Sequence, residues 1–340
     1  MESLEGMAYW LPLIWLVVLG VAVALYVVLD GFDLGIGILF PASPEEAHRD
    51  QMMNSVAPFW DGNETWLVLG GGGLLVAFPL AYAVLMPAVY LPVMFMLLAL
   101  VFRGVAFEFR WVAKPHHQMW DIAFAGGSIV ASFMQGLILG ALLEGIEVRD
   151  GAYAGGTFDW LSPFSLLTGV AVVAAYALIG ATWLVMKTDG PVQAKAREQA
   201  KFLLPAVLLA LLIVSLWTPL AIPRIYERWF SLPNFFLLAP VPLLTAYAAW
   251  SCWSGLQSGH DTRPFVSTIA LFLLGFLGLA VSNLPLVIPP SLDVWQAAAH
   301  PSSQLFMLIG VLILVPVILA YTVFVYYTFR GKVRAGEGYH

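Results

Sequence analysis

The residues of this chain that could do chemistry are acids set in apolar surroundings. Asp30 and Asp33 fall in Asp30-Gly31-Phe32-Asp33-Leu34-Gly35-Ile36-Gly37, and Asp61 and Glu64 in Trp60-Asp61-Gly62-Asn63-Glu64-Thr65-Trp66. Arg103, Glu108 and Asp121 complete the set further along. A carboxylate in hydrocarbon costs several kcal/mol unless it is paired, hydrated or protonated, so such acids point to function. Asp30 with Asp33, and Asp61 with Glu64, are spaced i,i+3, so each pair shares a helix face. Like charges on one face favour a shared proton, and a hydrated series of such groups is what a proton relay needs. The competing reading makes them hydrated residues at helix ends, with Asp61 and Glu64 favoured by a helix N-terminus. Arg103 either pairs with these acids or snorkels to the interface.

The elements that must position them are membrane spans. The 340 residues are 61% hydrophobic and 11% charged, with a mean hydropathy of +0.86, which is the composition of an integral membrane protein. Apolar runs predict an all-α membrane domain of about nine transmembrane helices: 9–30 (extended toward 40), 60–83, 86–109, 119–143, 161–186, 202–222, 233–256, 265–288 and 303–328. They divide into a polar four-helix bundle over about 9–150, an apolar four-helix bundle over about 160–290, and a peripheral last helix. Spans five to nine hold no Asp, Glu, Lys or Arg in their interiors.

Orientation follows from the basic residues. With the N-terminus outside, cytoplasmic segments hold Arg49, Arg110, Lys114, Lys187, Lys195, Arg197, Lys201, Arg263, Arg330, Lys332 and Arg334, while external ones hold Arg149, Arg224 and Arg228. The positive-inside rule therefore predicts N-out and C-in. That orientation brings Asp30, Asp33, Asp61, Glu64, Glu108 and Asp121 toward the cytoplasmic ends of four helices. Met1 to Ala8 carries Glu2 and Glu5 and no basic residue, unlike the positive start of a cleaved signal peptide.

Several chemistries are disfavoured. The single Cys252 forms no disulfide within the chain and no cysteine-based metal site. His48, His116, His117, His260, His300 and His340 fall at edges, loops or the tail rather than mid-span, where a transmembrane haem needs its ligand. There is no nucleotide fingerprint or metalloprotease motif, and no metal or nucleic-acid partner is expected. Gly31/Gly35 has the spacing of close helix packing, and Gly70 to Gly73 is read the same way.

Three longer motifs carry a resemblance. Leu29 to Gly37, Asn54 to Leu67 (Asn54-Ser55-Val56-Ala57-Pro58-Phe59-Trp60-Asp61-Gly62-Asn63-Glu64-Thr65-Trp66-Leu67) and Phe102-Arg103-Gly104-Val105-Ala106-Phe107-Glu108-Phe109-Arg110 resemble subunit II of the cytochrome bd-type quinol oxidases. Met119-Trp120-Asp121 and Ser302-Ser303-Gln304-Leu305 agree. The resemblance implies a bacterial inner-membrane oxidase that oxidises quinol and reduces oxygen to water. It implies a heterodimer in which subunit I carries haems b and d and the quinol site, with small accessory membrane subunits in some members. Subunit II stabilises subunit I, lacks haem ligands, binds a structural quinone in some members, and has no independent catalytic site. Carried over, a cytoplasmic proton path matches Asp33, Asp61 and Glu108, with Trp60 beside it. Asp30, Glu64 and Asp121 are further candidates, and Arg103 is a supporting residue. Glu108 stands where some relatives have Asp, Glu64 where some have Gln, and Gly104 where some have Pro. The glycine-rich, histidine-poor pattern resembles the cyanide-insensitive branch. A proton-coupled secondary transporter is the rival function, but transporters place their sites at the midplane with broken helices in both halves. A structural membrane anchor with interfacial acids is the third.

Overall fold

The computed structural model describes residues 2–113, 116–334 and 336, with side chains from residue 6 onward. Lys114 and His340 lie outside the described residues. The helices are α1 (Glu2–Leu39), α2 (Glu46–Asn54), α3 (Trp60–Ala77), α4 (Pro79–Ala88), α5 (Tyr90–Val112), α6 (Gln118–Glu144) and α7 (Pro163–Lys187), followed by α8 (Gly190–Ala221), α9 (Pro223–Phe230), α10 (Asn234–Leu238), α11 (Pro240–Gln257), α12 (Thr262–Asn283) and α13 (Pro301–Thr328). Two short antiparallel hairpins, β1 (Val148–Arg149) with β2 (Ala152–Tyr153) and β3 (Leu286–Ile288) with β4 (Leu292–Asp293), sit in connections. The expectation of an all-α membrane fold holds.

Among the described residues, eight helices are long and apolar enough to cross a membrane: α1, α5, α6, α7, α8, the α10–α11 stretch, α12 and α13. The expected span at 60–83 is divided. Its polar first turn and four glycines lower its apolarity, and it stops at Phe78 because Pro79 cannot donate to the helical ladder. The helix then restarts as α4, reaching the Tyr90 start of α5, so the boundary expected between 83 and 86 falls inside a helix. The span expected to run to 288 ends at Asn283, where Pro285 and the Pro289-Pro290 pair give way to the β3–β4 hairpin.

Close approach of α1 to its neighbours rests on glycine. A methyl group at Gly180 would stand 2.5 Å from the Gly35 carbonyl carbon, so α1 and α7 touch backbone to backbone. A methyl group at Gly37 would collide with Ser128 of α6. In lipid, where the hydrophobic effect does not drive helices together, such contact supplies the packing energy. Of the glycine run in α3, Gly73 packs on Leu19, whereas a side chain at Gly71 or Gly72 would meet nothing within 4 Å. The packing expected of that run is therefore made by only part of it. One apolar core runs continuously from α1 through α5, α6, α7 and α8 to α11 and α12, and includes Phe32, Phe124, Ile179, Trp183 and Phe265.

Candidate functional site

Helix α5 organises the charged residues. Arg103 and Arg110 lie seven residues, about two turns or 10 Å, apart on its buried face, and each gathers its own carboxylates. Around Arg103, which is fully buried, stand three acids. Its Nη1 is 2.8 Å from Asp30 Oδ1 and 3.7 Å from Glu64 Oε2, and its Nη2 is 3.8 Å from Asp33 Oδ2. Asp30 and Asp33 are fully buried; the Glu64 side chain is 27% exposed and forms the open edge of the group. The i,i+3 spacing of Asp30 and Asp33 on α1 turns both toward α5, and Glu64 reaches in from the first turns of α3.

Uncharged polar side chains extend this centre in two directions. Asn63 Nδ2 donates to Asp33 Oδ2 at 2.8 Å and to the Leu29 carbonyl at 3.3 Å. The Tyr326 hydroxyl, from α13, donates to Asn63 Oδ1 at 2.9 Å. On the Asp30 side, Tyr176 donates to Gln135 Oε1, and Gln135 Nε2 donates to the Tyr26 hydroxyl, both at 2.7 Å. Asp33 Oδ1 and Arg103 Nε make no hydrogen bond among the described residues. Aromatic rings pack around Tyr326 and Phe32 beside this centre. Phe32 stacks on Trp183 at 4.0 Å, and Phe59 stacks on Tyr326 at 4.4 Å.

The second centre surrounds Arg110, also buried. Its Nε lies 2.6 Å from Asp121 Oδ1 and its Nη1 2.6 Å from Asp50 Oδ1. Arg49 Nε lies 3.3 Å from Asp121 Oδ2, with His117 Nε2 at 3.8 Å. This centre ties α2, α5 and α6 together.

The structure thus joins Asp30, Asp33, Glu64 and Arg103, and gives Asp121 to a separate centre. Arg103 pairs rather than snorkels. Asp30, for which a hydrated helix end was the competing reading, is the acid nearest the guanidinium. Asp61 and Glu108 lie outside the buried group, both exposed, on α3 and α5. Trp60 stacks on Phe107 at 4.8 Å, and a methyl group at Gly104 would meet its ring at 3.3 Å, so glycine leaves room for it. Tyr26, Asn63, Gln135, Tyr176 and Tyr326 are the members that charge-based reasoning missed; of these only Asn63 lies within a quoted motif.

Among the described residues, no group of three or more His, Cys, Asp or Glu side chains is arranged to hold a metal ion. The described histidines lie in α2, in connections, or at the N-cap of α13.

Comparison with known proteins agrees with this architecture. A family model described as cytochrome bd terminal oxidase subunit II matches residues 11–329. The chain is 29% identical to the probable cytochrome oxidase subunit 2 of Haemophilus influenzae, covering 96% of each. It is 28% identical to the cytochrome bd-I ubiquinol oxidase subunit 2 of Escherichia coli K12, covering 95% of each. It is also 28% identical to the cytochrome bd ubiquinol oxidase subunit 2 of Bacillus subtilis, covering 95% of this chain and 97% of that one. The fold is similar to a chain in the bd oxidase structure from Geobacillus thermodenitrificans, with a TM-score of 0.76 at 15% identity over 94% of this chain and 98% of that one. These matches favour the oxidase reading over a transporter. The chain belongs to the cytochrome bd terminal oxidase subunit II family, the membrane-spanning second subunit of a respiratory terminal oxidase.

Proposed function

We propose that this chain stabilises a haem-bearing subunit I and conducts cytoplasmic protons toward the oxygen-reducing site held there. One observation carries the reading: a single buried guanidinium faces three carboxylates, one of them open to the surface. One positive charge cannot neutralise three negative ones in a low-dielectric interior, so the group is suited to hold and exchange protons. Asp33 is a fully buried acceptor, anchored by Asn63, and Glu64 is the group's connection to the exposed face. Asp61 and Glu108 lie on the exposed faces of α3 and α5, where they extend the path toward the partner, with Trp60 beside it. The Arg110 centre, with Asp121, is the cytoplasmic collar. Buried polar atoms such as Asp33 Oδ1 take ordered water as their partner, and water completes the connection between side chains.

The quinol named in the descriptions of the Escherichia coli and Bacillus subtilis relatives is oxidised, in this reading, at subunit I, with haems b and d held there. Oxygen reduction consumes protons, and drawing them from the cytoplasm charges the bacterial inner membrane. A structural quinone and small accessory subunits are compatible additions. The bundle at 9–150 carries the polar path, the bundle at 160–290 is the apolar scaffold, and the helix at 303–328 is peripheral. With α3 and α4 together making the ninth crossing, the N-terminus is outside and the C-terminus cytoplasmic.

The test is Asp61→Asn in an assembled complex that keeps its haem absorbance, with quinol-driven oxygen uptake and proton uptake measured together. Both are expected to fall markedly. Normal rates of both would remove Asp61 from the path.

A further inference from the structure

Away from the charged centres, α11 and α12 run antiparallel and leave a groove of about 480 Å³ between them. Its walls are apolar, with Leu244 and Ala248 on one side and Val266, Ala270, Leu273 and Leu277 on the other. One end is different. Ser251 and Ser267 line it, joined by a 2.9 Å hydrogen bond, and Arg263 Nε donates to Ser251 Oγ at 3.1 Å. From these serines the groove runs to Leu244 on α11 and Leu277 on α12, which at 1.5 Å per residue is about 10–15 Å into the apolar zone.

Arg263 is unusual among the basic residues near this end. Its guanidinium lies 5.6 Å from the centre of the Trp250 ring. Among the described residues no carboxylate stands within ion-pair distance of it, and its two terminal nitrogens donate no hydrogen bond. The acid nearest in sequence, Asp261, is already engaged by Arg197 at 3.0 Å and Lys332 at 2.6 Å. Trp250 and Tyr247 are 59% and 62% exposed, and such rings sit at the level of lipid headgroups. A forked guanidinium at headgroup depth, with its terminal donors unused, matches a phosphate.

We propose that this groove is a binding site for one anionic phospholipid, with an acyl chain between α11 and α12 and the phosphate on Arg263. The charge pattern selects the headgroup. A zwitterionic lipid would bring an ammonium to an end that offers no free carboxylate and whose Trp250 ring is already beside Arg263. Basic pockets between transmembrane helices are a recurring means of holding acidic lipids.

The test uses the assembled oxidase complex, delipidated in detergent and titrated with phosphatidylglycerol or phosphatidylcholine, with bound lipid counted by native mass spectrometry. The wild-type complex is expected to retain one phosphatidylglycerol that phosphatidylcholine replaces at least about tenfold less well, the scale of one charge-assisted contact. Arg263→Gln should lose that lipid through its headgroup. Ala270→Phe, which fills the groove and leaves Arg263 intact, should lose it through its chain. Equal retention in Arg263→Gln, equal competition by phosphatidylcholine, a quinone in place of the lipid, or no lipid bound to the wild type would each overturn the proposal. The wild-type competition stands even if one variant does not assemble.

Discussion

At the scale of single residues, the Arg103 centre behaves as a unit. Removing the cation leaves the fully buried Asp30 and Asp33 without compensation, and breaking a buried pair from one side costs about 3–5 kcal/mol. Arg103→Met is therefore expected to reduce the amount of assembled, haem-containing complex sharply, read by haem absorbance in purified membranes. Asp33→Asn differs because it removes a negative charge from a group that has too many. It should assemble at close to the wild-type level yet turn over at least about a hundredfold more slowly, the lower end of what losing a positioned proton-transfer group costs. Assembly lost in Asp33→Asn but kept in Arg103→Met would reverse this charge argument. Asp30, Asp33 and Arg103 were legible in the sequence because a charge in an apolar run is conspicuous. Tyr326 and Gln135 were not. A neutral polar residue in a span costs little enough to carry no signal, and Tyr326 meets Asn63 from 263 positions away.

At the scale of elements, glycine positions separate contact from permissive space. Gly35 of α1 and Gly180 of α7 face each other so closely that either side chain would push the helices apart. Gly180→Ala is therefore expected to destabilise by about 1–3 kcal/mol or more through overpacking, seen as a lower thermal midpoint of the assembled complex. At Gly275 of α12 an added methyl group would meet nothing within 4 Å. Gly275→Ala should leave that midpoint unchanged or raise it slightly, since alanine favours helix by up to about 1 kcal/mol. The Gly31/Gly35 spacing made the α1–α7 contact legible in kind, but not the identity of the partner helix. The break at Phe78 was hidden because apolar residues continue through it, and only Pro79 marked it.

Polar ties hold the segment after α13 in the same way. Lys187 Nζ donates to the Gly331 carbonyl at 2.7 Å, Gln51 Nε2 donates to the Val333 carbonyl at 2.7 Å, and Lys332 pairs with Asp261. Burial works against ionisation of Asp261, but the hydrogen bond and charge of Lys332, the Gln193 hydrogen bond and the Arg197 charge outweigh it. Its carboxyl is thus held below the usual range. An acid with a lowered folded-state pKa contributes stability above its unfolded value, and that contribution disappears as the pH falls through the folded one. Hydrogen exchange in residues 329–334 is accordingly expected to be slow at neutral pH and to quicken, relative to its intrinsic rate, only below about pH 4. Quickening that begins near neutrality would assign the tie to another group.

At the scale of the whole molecule, function depends on which side of the membrane the Arg110 centre faces. The positive-inside rule predicts that it lies in the cytoplasm, the side from which the proposed path takes its protons, together with the α2 segment and the loop around Asp261. The chain is suited to a direct test because Cys252, its one cysteine, is fully buried. In a Cys252→Ser background, Ser231→Cys reports the connection between α9 and α10, and His260→Cys the connection between α11 and α12. Both positions are exposed, and α11 separates them by one crossing. A membrane-impermeant maleimide applied to intact cells is expected to label Ser231→Cys at once and His260→Cys only after permeabilisation. The opposite pattern would put the Arg110 centre outside. The proposed path through the Arg103 group would then start outside, and drawing protons by this route would not charge the membrane. Labelling of both positions in intact cells would mean that α11 does not cross, which its 18 residues, mostly apolar and rich in aromatics, and the α10 extension argue against. The orientation of one loop therefore decides whether the carboxylates can serve as a cytoplasmic proton path.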